Sequence, residues 1–212
     1  MSRFRALARR LRDNRSGVAL LEFALSLPIL LLLSLTGAEL TNYITTRMRV
    51  AQIALHLADN AARIGSGSQL AAKTITETDI NDLFTGANLQ SGELALGTNG
   101  RVILSDLEAD SAHTGKYKIK WQRCYGAKTG HASTYGVTND DNLTGMGPSG
   151  RQATAPSGGA TMFVEVYYEY QPLVKSSLSP TSNMTEIASM MVRDTRDLTQ
   201  IYNTANATIS SC

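Results

Sequence analysis

The chain has 212 residues, of which 42% are hydrophobic, and it carries a formal net charge of +2 with a sequence pI of about 8.6. The positive charge is concentrated at the N-terminus, because six arginines and one aspartate give residues 1–17 a charge of +5, which leaves +2 − 5 = −3 for the rest. The folded part therefore lacks the basic face that nucleic-acid binding requires, and nucleic acid is excluded as an expected partner.

The first predicted element is a transmembrane helix. A basic leader, residues 1–17, is followed by an apolar run at 18–38, VALLEFALSLPILLLLSLTGA, in which Glu22 is the one charged residue. At about 1.5 Å per residue this run spans about 30 Å, the thickness of a bilayer core. Because the arginines precede it, the leader is expected in the cytoplasm and the chain after it is expected to be exported. A cleavable secretory signal is the alternative, but the run is long for one and no small-x-small site directly follows it.

Glu22 is the unusual feature of this run. A carboxylate inside a spanning segment costs roughly 2.5–3.5 kcal/mol, which indicates a function, although a position near the interface is the simpler alternative. Gly17 directly precedes the run and Glu22 is the fifth residue after it, which is the processing signature of type IV-like prepilins. Cleavage after Gly17 would give Val18 a charged α-amino group. Glu22 of a neighbouring subunit would neutralise that charge only in the correct register, since an unpaired buried charge is strongly disfavoured.

The helix is predicted to continue outside the membrane. Residues 39–64 contain neither Pro nor Gly, and their apolar positions recur mostly at spacings of three and four, as on one buried helical stripe. The glycines at 65 and 67 are expected to end the helix. Pro28 removes one backbone hydrogen bond and favours a bend. Residues 18–64 are therefore interpreted as one helix, with a transmembrane half and an exported amphipathic half.

Residues 65–212 are predicted to form an exported α+β domain in which the long helix packs on an antiparallel sheet. The segment 76–84, TETDINDLF, is compatible with a short capped helix. Segments 93–97 and 101–107 flank TNG and predict a hairpin. Further strands are expected at 116–124, 161–174 and 185–194, the first with Tyr117, Ile119 and Trp121 on one face. The Gly- and Ser-rich stretch 126–159 has no period and no obvious core anchor, and is predicted to be a long surface loop.

The N-terminal pattern resembles TadE-like minor pilins of the tight-adherence (Tad, or Flp) pilus system. The matching positions are Gly17, Glu22, Phe23, Ala24, Leu25, Leu27, Pro28, Leu30–Leu33, Gly37 and Glu39. The strand VEVYYEYQPL is also similar to the family's aromatic strand. The strong match covers about 30 residues. The exported domain resembles the family more in its general arrangement than in its individual residues.

The resemblance implies a pilin-like fold and a minor pilin or pseudopilin that takes part in pilus assembly and surface attachment. It implies processing between Gly17 and Val18 by a prepilin peptidase, and a role of Glu22 and Phe23 in assembly. The implied partners are the peptidase, other pilins, the Tad inner-membrane assembly proteins and the lipid bilayer. The implied location is the inner membrane, with one span, a cytoplasmic N-terminus and a periplasmic domain, or a surface pilus.

Two departures narrow this expectation. Major pilins of the system are usually very short chains with Glu-Tyr at the motif, whereas this chain has Glu22-Phe23 and a sizeable domain. TadG-like proteins usually carry a large von Willebrand-type domain, for which there is no room here. A signal-anchored periplasmic binding module that does not polymerise is the alternative function, and it does not need the spacing of Gly17 and Glu22.

Cys124 and Cys212 are the two cysteines, and in an exported domain they are expected to form a disulfide; two unrelated thiols are the alternative.

No enzyme activity, metal or cofactor is predicted. His56, His113 and His131 show no ligand spacing, and TNDDN at 138–142 lacks the full calcium-loop pattern. Three alternating carboxylates are interpreted as a solvated strand end rather than an acid–base site: Asp106, Glu108 and Asp110.

Overall fold

A computed structural model describes residues 17–67, 71–174, 180 and 183–212, so the leader before Gly17 lies outside the described residues. The described chain is α+β, with a long apolar N-terminal helix and a four-stranded antiparallel sheet, as predicted. The helices are α1 (Val18–Ala61), α2 (Glu77–Ser91) and α3 (Leu96–Asn99); the strands are β1 (Gly100–Ala109), β2 (Tyr117–Tyr125), β3 (Ala160–Tyr168) and β4 (Met184–Met191).

The chain divides into two compact units. One comprises the chain up to Tyr43 together with Pro172–Pro180, and the other comprises Ile44–Gln171 and Thr181–Cys212. Helix α1 contributes its first part to the former and its second part to the latter.

Helix α1 has two different surfaces along its length. Within the described residues it is the one helix long and apolar enough to cross a membrane. No residue of its most apolar stretch is buried. Beyond Tyr43 an apolar stripe is buried instead, with Val50, Ile53, Ala54 and Leu57 at most 3% exposed. The expectation of a long apolar N-terminal helix is confirmed. Pro28 lies inside the helix without ending it.

The sheet has the order β2-β1-β3-β4, and each pair is antiparallel. One side, called here the helix side, carries Leu104 and Asp106 of β1. On this side Phe84 of α2 stacks on Tyr125 of β2, with ring centroids 5.8 Å apart. The opposite side, called here the loop side, carries Leu107 and faces the stretch 126–159.

The stretch 126–159 contains no strand or helix, but it is a packed layer. Met146 is fully buried, and Ala155 is 9% exposed. Both belong to a core cluster with Leu107, Ile119 and Phe163 of the sheet. The expectation that this stretch lacks a core anchor is therefore wrong, because widely spaced apolar residues can fill a sheet face without any periodic pattern.

Two other predictions are corrected. A register shift opposite Asp106 and Leu107 pairs Asp106 with Trp121 but Leu107 with Ile119. A β-bulge of this kind places Trp121 on the helix side and Ile119 on the loop side, so the predicted single face is wrong.

The predicted hairpin strand 93–97 is also wrong. Residues 92–94 form a 3₁₀ turn that leads into α3. Side chains of α2 hold this path, because the backbone N–H of Leu96 donates to the Ser91 hydroxyl (3.2 Å) and that of Gly97 donates to the Asn88 side chain (3.0 Å). Strand β1 instead pairs with β2 and β3.

The C-terminal residues run beside the segment before α2 and end at β2. Parallel bridges join Lys73 to Arg196 and Thr76 to Tyr202. At β2 the backbone N–H of Cys124 donates to Ser210 (2.7 Å). Cys124 and Cys212 form the predicted disulfide, with their Cα atoms 4.9 Å apart.

Candidate functional site

The predicted processing site lies at the start of α1. The helix begins at Val18, directly after Gly17, and no acidic residue occupies its first turn. A hypothetical Cβ on Gly17 would meet no atom within 4 Å, so packing in the described chain does not explain a glycine here. The α-helix places the positive end of its dipole at this end, where a carboxylate is favoured and an added cation is not.

Glu22 and Phe23 lie in the second turn of α1 and are both exposed. Phe23 is 59% exposed, and the flanking Leu20 and Leu25 are 73% and 74% exposed. Exposing so many large apolar side chains to water is unfavourable, so this part of the helix requires lipid or protein around it. Glu22 is therefore a single exposed carboxylate within an exposed apolar surface.

Glu39, the second acidic residue of the N-terminal pattern, behaves differently. It is 4% exposed and its carboxylate accepts a hydrogen bond from the backbone N–H of Val174 (3.1 Å). Both residues belong to the same compact unit. The two glutamates of α1 thus differ in environment, with Glu39 engaged by the chain itself and Glu22 exposed.

The carboxylates of β1 are not solvated, contrary to the prediction for this strand end. Asp106 is 2% exposed, and Glu108 and Asp110 are 8% exposed. Burial, reinforced by the charge of Glu108, raises the pKa of Asp106 to about 7, although Arg196, the Trp121 indole N–H and Lys120 oppose the shift. Sequence reasoning missed this because Arg196, which covers the strand centre, comes far later in the chain.

Arg196 connects this buried cluster to the end of α1. Its Nη2 donates to the carbonyl oxygens of Ala61 (3.1 Å) and Ile64 (2.8 Å). These carbonyls lie at the negative end of the helix dipole, where a cation is stabilising. Arg196 therefore links the end of α1 to Asp106 on the sheet.

Three possible metal ligands meet at the turn after β1. The ligand atoms of Asp110, His113 and Asp141 lie within 4.8 Å of one another. The carboxylate of Asp110 is already occupied, because it contacts His113 Nδ1 (2.6 Å) and accepts hydrogen bonds from the backbone N–H groups of Ala112 and Asn142. These bonds hold the pKa of Asp110 down, at about 2. The hydrogen bonds of Asp110 account for the proximity of the three residues without a metal ion.

A cleft of about 420 Å³ opens on the loop side, near the disulfide. Arg101 and His131 line it, and both carry a buried nitrogen without a hydrogen-bond partner among the described residues. The two residues are 30 positions apart, and no motif joins them in the sequence.

The comparisons with known proteins add no relative. No protein-family model matches the chain, and no curated protein or solved structure matches it significantly. The resemblance to tight-adherence minor pilins therefore rests on the N-terminal residues from Gly17 to Glu39.

Proposed function

We propose that this chain is a minor pilin or pseudopilin that a prepilin peptidase processes after Gly17 and that takes part in assembly of a tight-adherence pilus. The observation that carries the proposal is an exposed apolar helix that begins at Val18 and bears an exposed carboxylate at Glu22. A membrane anchor alone requires the apolar surface but not the carboxylate.

The proposed mechanism uses two charges on different subunits. Removal of the leader leaves a protonated α-amino group on Val18, at a helix end that already carries positive partial charge. In a bilayer or fibre core, this group requires a negative partner. Glu22 of an adjacent subunit provides it when the helices stack in the correct register, and Phe23 packs beside it in the apolar surface. A wrong register leaves both charges buried and unpaired.

The proposal also assigns a location and partners. The helix is held in the inner membrane with the leader in the cytoplasm, and the domain folds in the periplasm before any entry into a pilus. The disulfide supports an oxidising compartment, because such bonds persist outside the cytosol. The partners are the peptidase, other pilins, the inner-membrane assembly proteins and lipid.

Processing is tested on protein extracted from membranes. N-terminal sequencing is expected to begin VALLEF. Substitution Gly17→Leu in the same strain serves as the matched variant and is expected to leave the leader attached, because the peptidase signature requires a small residue there and leucine is large. Wild-type protein that begins at Met1 or Ser2 would contradict the proposal and favour a signal-anchored module that does not polymerise.

The assembly role is tested by Glu22→Ala. Membrane insertion is expected to persist, since the change removes a charge that costs roughly 2.5–3.5 kcal/mol in the bilayer. Pilus yield, measured by shearing and immunoblotting at equal protein level, is expected to fall. Glu22→Asp retains the charge and should restore part of the yield, and Glu93→Gln removes an exposed carboxylate of the folded domain as a control. Normal piliation of Glu22→Ala would refute the register argument.

A further inference from the structure

The cleft on the loop side combines a suitable size with polar groups that the fold leaves unsatisfied. Its volume of about 420 Å³ lies within the range of small-molecule sites. Ile103 and Val137 supply apolar walls, and Thr129 and Thr138 supply hydroxyl groups. Arg101 and His131 also line the cleft, and each has a buried nitrogen without a hydrogen-bond partner among the described residues.

Arg101 is a buried cation without an anion. It is 6% exposed, and its Nη1 donates to the carbonyl oxygen of Gly126 (3.0 Å). No carboxylate among the described residues pairs with it, and its Nε is buried without a partner. Burial alone lowers the pKa of Arg101. A buried charge normally has a counter-charge, so the missing group is an anion.

The backbone around Arg101 is built to hold it in place. Gly126 has a φ of +103°, and a Cβ there would lie 2.4 Å from the carbonyl oxygen of Gly100. The glycine therefore lets the end of β2 approach β1, which places the Gly126 carbonyl against the guanidinium. With Nη1 engaged in this way, Nε and Nη2 remain as the edge that binds a carboxylate through two parallel hydrogen bonds.

His131 provides a second polar contact beside Arg101. Its ring stacks on Tyr167, with centroids 4.1 Å apart, and its Nε2 is buried without a hydrogen-bond partner among the described residues. Burial and the nearby charge of Arg101 lower the pKa of His131, so the imidazole is neutral and one of its nitrogens carries a proton to donate. Arg123 also lines the cleft, but its guanidinium is already paired with Glu77.

We propose that this cleft binds a small monocarboxylate, with Arg101 as its charge partner and His131 as a second hydrogen-bond donor. A single carboxylate matches the one charge of Arg101, and its two oxygens fit the flat edge of the guanidinium. Ile103 and Val137 favour a short aliphatic or aromatic tail on the ligand. The proposal is independent of leader processing and of pilus assembly.

The test uses the full chain in detergent or nanodiscs and follows thermal unfolding by the fluorescence of its one tryptophan, Trp121. Sodium butyrate is the probe, titrated to about 100 mM to cover millimolar affinities. Butyramide controls for the apolar tail, sodium chloride for ionic strength and sodium phosphate for a dianion. The Tm is expected to rise saturably with butyrate and to exceed the response to each control.

Four variants locate the binding. Arg101→Gln is expected to abolish the response, and His131→Phe, which keeps an aromatic ring over Tyr167, is expected to weaken butyrate binding about tenfold. Arg151→Gln removes an exposed arginine of the same loop and should respond as wild type does. Thr138→Phe fills the cleft at an exposed position without adding a second tryptophan and should also abolish the response, which covers the case that Arg101→Gln fails to fold.

Three results would overturn the proposal. If butyrate raises the Tm of the wild-type chain no more than sodium chloride does, the cleft does not bind a carboxylate. A stronger response to phosphate than to butyrate would assign a different anion. An undiminished response in Arg101→Gln or in Thr138→Phe would place binding elsewhere on the chain.

Discussion

Asp106 lies within β1 on the helix side of the sheet, where it is 2% exposed. Its raised pKa of about 7 arises chiefly from burial, with a contribution from Glu108. An unfolded aspartate titrates near pH 4. Between these two pH values the folded chain therefore holds a proton that the unfolded chain has released, which makes stability depend on pH through this single residue.

The sign of this dependence is opposite to that of a salt-bridged carboxylate. The stability associated with Asp106 is fully present below about pH 4 and is lost as the pH rises through about 7. Asp106→Asn is expected to flatten the fall in the urea midpoint of unfolding between pH 5 and pH 8. Asp141→Asn, at an exposed position, is the matched control and should keep the wild-type slope. Equal slopes in wild type and Asp106→Asn would show that this carboxylate is not the origin.

The elements that sequence reasoning predicted correctly depend on local signals. Helix α1 follows from an uninterrupted apolar run and a helical stripe, whereas the sequence at 76–84 is only compatible with a short capped helix and the structure extends that helix to Ser91. The segment 92–99 and the bulge at Trp121 depend instead on partners from other elements, Ser91, Asn88 and the register of β1. Local propensity does not encode such contacts, which explains both corrections.

The candidate sites divide in the same way. Gly17 and Glu22 are visible in the sequence because their spacing is itself the signal. Arg101 and His131 come together only because the end of β2 and the loop after it return over β1. The sequence alone does not indicate that an arginine in a strand and a histidine in a Gly-rich stretch belong to one site.

The capping box at the start of α2 gives a test at the scale of one element. The Thr76 hydroxyl accepts from the backbone N–H of Asp79 (3.1 Å), and the Asp79 carboxylate accepts from the backbone N–H of Thr76 (2.9 Å). Thr76→Ala is expected to reduce the free energy of unfolding by about 1 kcal/mol. Thr85→Ala, at an exposed position inside the helix, should cause no comparable loss. Chemical denaturation of both variants checks the difference, and equal stabilities would contradict the cap.

Across the whole domain, β2 is an edge strand whose outer side is covered. The backbone N–H groups of Tyr117 and Ile119 donate to Leu143 and Asp140 of the loop, and that of Cys124 donates to Ser210. A covered edge cannot pair with a strand of another chain, which protects against aggregation. The loop and the tail therefore complete the sheet, and the disulfide fixes the tail to it.

The disulfide joins residues separated by 88 positions, so its removal should act on the whole domain. In the entropic account a loop of this length contributes roughly 4 kcal/mol, as an upper range. Cys212→Ser is expected to lower the denaturation midpoint and expose the last residues to protease. Tyr202 should stay protected, because its N–H and carbonyl pair with Ile75 and Glu77.

Non-reducing peptide mapping of protein extracted from membranes checks the bond itself. Ser211→Ala, which leaves both thiols in place, is the matched control for protease sensitivity. Two freely alkylated cysteines in wild-type protein, or equal proteolysis of Cys212→Ser and wild type, would contradict the role given to the bridge.

The same bond has a mechanical consequence. When a load enters the domain through α1 and leaves through Cys212, the bridge transfers the force at Cys124, and the chain between the two cysteines carries none of it. Fully extended, that segment would measure about 300 Å, at about 3.4 Å for each of its 88 steps. Strands β3 and β4 lie entirely within that span, so after α1 pulling can lengthen the chain only through residues 62–124. A domain loaded in this way would release β1 and most of β2 and then resist as a covalent link.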